Sequence, residues 1–230
     1  MKKFVIFGTS GVAKELCYFA EADGYDVVAY VLDKEYITES EFDKRPLIAY
    51  EELENYYKQD EIALLIMTGY SKMNNNRKAI LERCKEDGWH TPSFIHSSVL
   101  NLAKTIGIGN IILPDAELGL GAILGDGNII NRHAILSHDV ITGNYNFFAG
   151  SNHICGYTKI GNNNFFGANS TVIDNGVIGD YNLISAGICL NKKLKNNQMV
   201  SPVCVRERTL SVRAMDLLLS RVKEKGYSLK

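Results

Sequence analysis

One repeat limits what this chain can fold into more than any other feature. Stepping by six from Leu100 reaches Ile106, Ile112, Leu118, Leu124, Ile130, Leu136, Thr142, Phe148, Ile154, Ile160, Phe166, Val172, Ile178, Ile184 and Leu190. Fifteen of these sixteen positions are large and apolar, whereas a chain that is 46% apolar would supply about seven by chance. A helix repeats every 3.6 residues and a strand every two, so neither produces a period of six. The residue after the anchor is often glycine (Gly107, Gly119, Gly125, Gly143, Gly161, Gly167, Gly179). The fourth residue after it is small or asparagine, as in Ala116, Asn128, Asn146, Asn164 and Asn182. This is the hexapeptide form of a parallel β-helix, in which three hexapeptides make one triangular coil of about eighteen residues. Residues 100–190 then supply about five coils with the anchors stacked inward, in one unbroken register, and glycine and asparagine taking the tight corners.

Residues 1–90 have a different pattern. Lys3–Phe7 is a short apolar strand, Gly8-Thr9-Ser10-Gly11 a turn, and Val12–Ala22 has helical spacing. Tyr25–Leu32, Pro46–Ala49 and Glu61–Met67 read as further strands, and Lys72–Asp87 as a charged amphipathic helix closed by Gly88. Alternating strands and helices predict a small parallel sheet covered on both faces, about half the size of a full dinucleotide fold. The expected organisation is an α/β domain over residues 1–90, a β-helix over 91–200, and a tail with an amphipathic helix (Leu210–Lys225) over 201–230.

Charge and cysteine content narrow the function classes. Twenty-five basic residues against 26 acidic ones give a net charge of -1, which argues against a broad nucleic-acid or anionic-membrane surface. No apolar run reaches the length of a membrane span, and the N-terminal MKKFVIFGTSG breaks at glycine after four apolar residues, as a first strand and not a signal peptide. Cys17, Cys84, Cys155, Cys189 and Cys204 are odd in number and without CxxC spacing. They predict reduced thiols in a cytoplasmic protein and no structural metal.

FVIFGTSGVAKEL at the start, Phe94-Ile-His-Ser-Ser-Val99, Ile130-Asn-Arg-His-Ala-Ile-Leu-Ser-His-Asp139 and Cys155-Gly-Tyr-Thr-Lys-Ile-Gly161 together resemble the left-handed β-helix sugar acetyltransferases that carry a small N-terminal α/β domain. That group includes sialic acid O-acetyltransferases and N-acetyltransferases of nucleotide-linked amino sugars, and the resemblance covers nearly the whole chain. It implies acetyl-CoA as co-substrate, no metal, a nucleotide-linked amino sugar as acceptor, a role in bacterial-type surface glycan biosynthesis, and a homotrimer with sites between subunits. The runner-up is O-acetylation of a sialic acid or related sugar.

Acetyl transfer from a thioester needs a base for the attacking group, a donor for the developing oxyanion and a slot for the pantetheine arm. His138 is the expected base. It lies two residues after the anchor Leu136 and so projects off the coil, and Asp139 beside it is placed to orient the imidazole. The resemblance adds Asn131 as a residue lining the same site, with an ordinary corner asparagine as the alternative. Gly156, one coil after His138, is expected to offer its N–H to the thioester carbonyl, and Gly167, Ala168 and Ala186 to leave room for the coenzyme. In the N-terminal domain the Gly8–Gly11 turn opens a helix, so Gly8, Ser10 and Gly11 are expected at the diphosphate. Asp33, Lys34 and Gly69 close strands on the ligand-binding edge of an open α/β sheet.

The chain departs from the family pattern twice. A second histidine common nine residues after the first is Phe147 here, and the closing Gly-x-Pro-Ala-Lys keeps only Pro202, leaving Arg206 or Arg208 for the coenzyme phosphates. Two rival classes share the solenoid. A γ-class carbonic anhydrase would use His133 and His138, which stand five apart, but six repeats before His133 is Ser97, with His96 out of phase. A non-catalytic scaffold is the other.

Overall fold

The computed structural model describes residues 3–202; the tail, its expected helix, Arg206 and Arg208 lie outside the described residues. The N-terminal unit is a five-stranded sheet. It is built from β1 (Lys3–Phe7), α1 (Gly11–Ala22), β2 (Asp26–Leu32), β3 (Glu41–Phe42), β4 (Arg45–Ala49), β5 (Ile62–Ile66) and α2 (Asn75–Glu86), with strand order β3-β4-β2-β1-β5. All pairings are parallel except the short β3–β4 ribbon, which the sequence reading did not anticipate. Alternation along β1 splits the core. Phe4 and Ile6 pack with α1 and the solenoid, whereas Val5 and Phe7 pack with Leu81 and Cys84 of α2.

Helix α2 begins three residues later than its charge pattern suggests. Lys72, Met73 and Asn74 all have left-handed φ (50°, 50° and 64°), which no helical residue adopts. The segment is held from the other side of the molecule: Asn163 Nδ2 donates to the Met73 carbonyl (3.0 Å) and Asn74 Nδ2 to the Asn164 carbonyl (3.1 Å).

From Phe94 the chain forms a prism of two-residue strands in three parallel sheets, each strand pairing with the one eighteen residues on, as in Ile129 with Phe147 and Glu117 with Ile135. The fold is a left-handed parallel β-helix with the α/β domain at its N-terminal end. From Ile112 to Leu190 every anchor is buried. The register does slip at both ends, against the expectation of an unbroken column. Leu100 pairs with Glu117, seventeen residues away, and is left exposed, while Ile184 pairs with Val200, sixteen away. The outer coils have a neighbour on one side only, so a shortened corner there disturbs one pairing instead of two.

The corners also work differently from the expectation. Left-handed φ falls on the third residue after the anchor, at His133, Asp139, Tyr145, Ser151, Tyr157, Asn163, Asn169, Asn175 and Tyr181. The glycine after the anchor is needed for space: a Cβ on Gly119 would stand 2.5 Å from the His138 nitrogen in the next coil. The asparagines four after the anchor are buried and stack into a ladder. Asn128, Asn146, Asn164 and Asn182 each donate a backbone N–H to the Oδ1 of the asparagine one coil back, at 2.8–2.9 Å.

The two units are riveted at that ladder. Arg77 of α2 is fully buried; its Nε donates to the Gly127 carbonyl (2.9 Å), and one terminal nitrogen to the Tyr145 and Asn146 carbonyls (3.2 Å each). Burial pushes its pKa down to about 9, which leaves it charged at neutral pH. On the adjoining edge Arg132 reaches Glu15 of α1 (3.4 Å), and Asp23 accepts from the Ser97 N–H (2.7 Å). The α/β domain therefore covers one of the three faces of the prism, through Phe94, Ile111, Ile129 and Phe147. No described helix is long and apolar enough to cross a membrane.

Thr142, the polar exception among the anchors, is buried in the column and its hydroxyl has no hydrogen-bond partner among the described residues. An unpaired buried hydroxyl costs on the order of 1–3 kcal/mol. Thr142→Val keeps the shape and removes that group, so it should raise the unfolding free energy by about 1 kcal/mol. Denaturant melts of the two proteins check this; a destabilised valine variant contradicts it.

Candidate active site

His138 and Asp139 lie at the corner after the strand Ile135–Leu136. In a strand, neighbouring side chains point to opposite faces; here Asp139 takes left-handed φ (55°), and the turn brings its carboxylate back to the imidazole. His138 Nδ1 and Asp139 Oδ2 are 3.1 Å apart, with half of each side chain exposed. Both coils that flank the pair make room for it. A Cβ on Gly156, in the coil above, would stand 2.6 Å from His138 Cε1 and Nε2, and one on Gly121, in the coil below, 2.8 Å from Asp139 Oδ1. The Tyr157 ring meets the imidazole edge-on at 5.0 Å. With Nδ1 turned to the carboxylate, Nε2 is the nitrogen left for an incoming proton. The Gly156 N–H, beside that ring, has no backbone partner among the described residues.

The other expected solenoid residues lie on a different edge. Asn131 follows Ile129–Ile130 and stands one corner before His138, and Gly167, Ala168 and Ala186 continue Asn131's edge in later coils. Ala168 and Ala186 are exposed there, and Gly167 is buried against the Ala186 backbone. Arg132, next to Asn131, holds α1, so this edge adjoins the α/β domain. The His138 edge is opposite the covered face. Phe147 is likewise far from His138, buried under the α/β domain. Among the described residues no three His, Cys, Asp or Glu side chains come together to hold a metal ion, and His133 and His138 occupy different corners.

In the α/β domain, Gly8 sits at φ 130°, where a Cβ would be 2.5 Å from the Met67 carbonyl oxygen. Only glycine allows β1 to leave the sheet this close to β5. Ser10 caps α1 through its Oγ and the Ala13 N–H (3.4 Å), and Gly11 is the first helical residue. Beside this turn, at the carboxyl edge of the sheet, a cavity of about 370 Å³ is lined by Phe7, Asp33, Thr68, Lys72, Asn76 and Arg83, among others. Asp33 is paired with Arg83, whose guanidinium lies 4.3 Å from the Tyr50 ring centroid. The Thr68 hydroxyl and Arg83 Nε are buried without partners among the described residues. Lys34 instead turns to Glu52 (2.8 Å) and lines a neighbouring recess, and Gly69 has open space where a Cβ would be. Lys72, Asn76 and Arg83 were not among the expected residues. Asn76 and Arg83, seven apart on one side of α2, gave the available signal, hidden in a helix that reads as charged and amphipathic; Lys72 lies in the left-handed segment before the helix.

The scan against protein-family models and the search of curated proteins both returned no match. Solved structures do match. The acetyltransferase domain of PglB from Neisseria gonorrhoeae superposes with a TM-score of 0.77 at 23% identity, covering 86% of this chain and 96% of that one. PerB from Caulobacter crescentus, solved with CoA and GDP-perosamine, gives 0.77 at 21% identity over 86% and 93%. WeeI from Acinetobacter baumannii gives 0.61 at 15% identity over 88% and 97%.

Gly156→Ala tests the geometry of the corner. Its φ is ordinary, so alanine fits the backbone, but the methyl must displace the exposed imidazole. The variant should keep its stability to within about 1 kcal/mol while any activity that uses His138 falls at least tenfold. Unchanged turnover would show that the ring does not work from this position. By structural likeness, the chain has the fold of these acetyltransferases, a left-handed β-helix with an N-terminal α/β domain.

Proposed function

We propose that this protein transfers the acetyl group of acetyl-CoA to the amino group of a nucleotide-linked amino sugar, with His138 as general base. The observation that carries the reading is the His138–Asp139 pair bracketed by Gly121 and Gly156. The pair has the reach and partner of a base, with a free N–H one coil above it for an oxyanion. Acetyl-CoA supplies the activated carbonyl. The amine attacks the thioester carbonyl while His138 Nε2 takes its proton, with Asp139 holding the ring and stabilising its protonated form; the C–S bond then breaks, the amide forms, and the proton passes from His138 to the departing CoA thiolate. Gly156 N–H faces the oxygen on which negative charge builds, and the exposed Ala168 and Ala186 leave an uncrowded edge for the pantetheine arm; Gly167, buried against the Ala186 backbone, lets the coils stack closely there and offers no surface of its own. Gly8, Ser10 and Gly11 at the α1 N-terminus, with Asp33, Gly69 and the cavity behind them, are suited to a nucleotide diphosphate. Solved relatives in fold support the ligand classes: one PglB domain structure holds acetyl coenzyme A, and PerB holds CoA and GDP-perosamine.

His138→Ala should lower kcat by about a hundred- to ten-thousandfold, with the KM for acetyl-CoA little changed. Asp139→Asn should cost less, because the imidazole remains. Mass spectrometry of products from free and nucleotide-linked amino sugars identifies the acceptor. A product formed only from free sialic acid would mean O-acetylation instead, and an alanine variant retaining more than about a tenth of the wild-type rate would move the base elsewhere, to His133 first.

The same reading requires more than one copy of the chain, and the family resemblance makes that assembly a homotrimer. The nucleotide cavity and Asn131 adjoin the covered face, whereas His138 lies on the opposite edge. One copy must therefore bring its histidine to the next copy's acceptor. The His138 edge also exposes apolar side chains: Leu120 (70%), Tyr157 (56%) and Ile173 (40%). Sedimentation at assay concentration should give three chains per particle. An active monomer would refute this arrangement.

A further inference from the structure

Tyr70 is held in an unusual way for an exposed aromatic residue. It follows Gly69 directly, two residues after Thr68 of the cavity wall. Its ring lies 5.3 Å from Phe147 and 4.6 Å from Phe165, and those two rings stack on each other at 5.4 Å and 15°. Behind them the inward neighbours Phe148 and Phe166 stack at 4.7 Å and 9°. Phe147 is only 6% exposed, yet Tyr70 keeps 57% of its surface in water. The phenol meets that rigid stack at 67° and 53°, so it is held by tilted contacts while more than half of its surface stays open to water.

We propose that Tyr70 is a sugar-binding residue whose open face carries the C–H face of the pyranose in the nucleotide-linked acceptor. This rests on the function proposed above and adds to it a subsite. The negative face of an aromatic ring attracts the weakly positive C–H bonds of a sugar, and a ring already locked in place loses little entropy on binding. The occupant follows from position. One residue, Gly69, separates Tyr70 from Thr68, so their Cα atoms lie at most about 7 Å apart. A nucleotide diphosphate in the cavity therefore has its sugar within reach of the ring. The same stack explains Phe147: at that position a phenyl ring backs the platform and makes no polar contact of its own.

Calorimetry on the full chain with UDP, UDP-glucosamine, GDP and GDP-mannose tests this. For the nucleotide that binds, the sugar-linked form should bind about fivefold more tightly than the bare diphosphate, the usual worth of one aromatic contact. Tyr70→Ala should abolish that difference and leave diphosphate affinity unchanged; Tyr70→Phe should retain it, since the face and not the hydroxyl is used. A difference that survives in Tyr70→Ala overturns the proposal, and so does a wild type that does not distinguish sugar from diphosphate. A lower melting temperature in Tyr70→Ala with sugar binding intact makes the ring a cover for Phe147 and also overturns it. If no nucleotide binds the wild type, the nucleotide reading fails and free glucosamine becomes the probe. Saturation-transfer NMR signals lost in Tyr70→Ala then support the platform, and none in the wild type refutes it.

Discussion

Most of this structure depends on the hydrogen bonding of buried asparagines at one edge of the prism. A coil of eighteen residues turns three corners, and each corner leaves backbone groups that the two-residue strands cannot pair. At the edge facing α2, Asn128, Asn146 and Asn164 resolve this. Each Oδ1 accepts the N–H of the next coil's asparagine; Nδ2 of Asn128 and Asn146 donates to a glycine carbonyl, as from Asn146 to Gly161 (2.9 Å), and that of Asn164 to the Asn146 Oδ1 (3.0 Å). An asparagine side chain presents an acceptor and donors on one short stem, which an ionised aspartate cannot do; in the first coil the Ser93 hydroxyl fills the same role, donating to the Gly107 carbonyl (2.7 Å) and accepting the Asn110 N–H (3.0 Å). The ladder leaves the Gly127, Tyr145 and Asn146 carbonyls pointing outward, and Arg77 fills them. That buried guanidinium has no carboxylate partner in these contacts; carbonyl dipoles alone offset its desolvation. The orientation of α2, and with it the cavity wall formed by Asn76 and Arg83, is thus inherited from the solenoid.

The same geometry explains where a base and its carboxylate can stand. Adjacent residues of a strand diverge, so a neighbouring His-Asp pair is of no use on a face of the prism. At a corner the third residue after the anchor is left-handed, and aspartate tolerates that conformation better than most residues. Asp139 occupies that position and His138 the one before it. Glycines directly above and below are then required, because coils stack with no space for a side chain beneath an inward-turned carboxylate or imidazole.

The period of six made the solenoid and the inward anchors from Ile112 to Leu190 legible in the sequence, because every coil repeats the same burial. It could not reveal the slip at Leu100, where the pattern continues in letters while the pairing shifts by one residue. Nor did it reveal the left-handed position, which His, Asp, Tyr, Ser and Asn share without a common residue type. In the α/β domain the strands were readable as apolar runs. The start of α2 was not, because contacts ninety residues away fix Met73 and Asn74. Of the candidate site, the stacking of Gly156 on His138 was legible from the eighteen-residue spacing, whereas the choice of His138 and Asp139 rests on the family resemblance. Arg83 was missed, since a helix with charges along it looks the same whether those charges face water or a cavity; Lys72 was missed because its left-handed segment before α2 is fixed by distant contacts.

The placement of the α/β domain has a last consequence for the solenoid. A triangular prism has three faces; this one gives a face to the domain and keeps the opposite edge for His138. A side chain on that edge cannot turn to the covered face of its own copy, since the column of inward anchors, Leu118, Leu136 and Ile154 among them, lies between. On the proposed reading the two remaining faces must therefore be shaped for other copies of the chain, and their outward residues are chosen for that contact. Ile123 and Ile141 on one face and Ile135 on the other fit this, apolar where an isolated prism would present charge. Assembly then completes the site, and it does so without any movement of the α/β domain, which the Arg77 rivet holds in place.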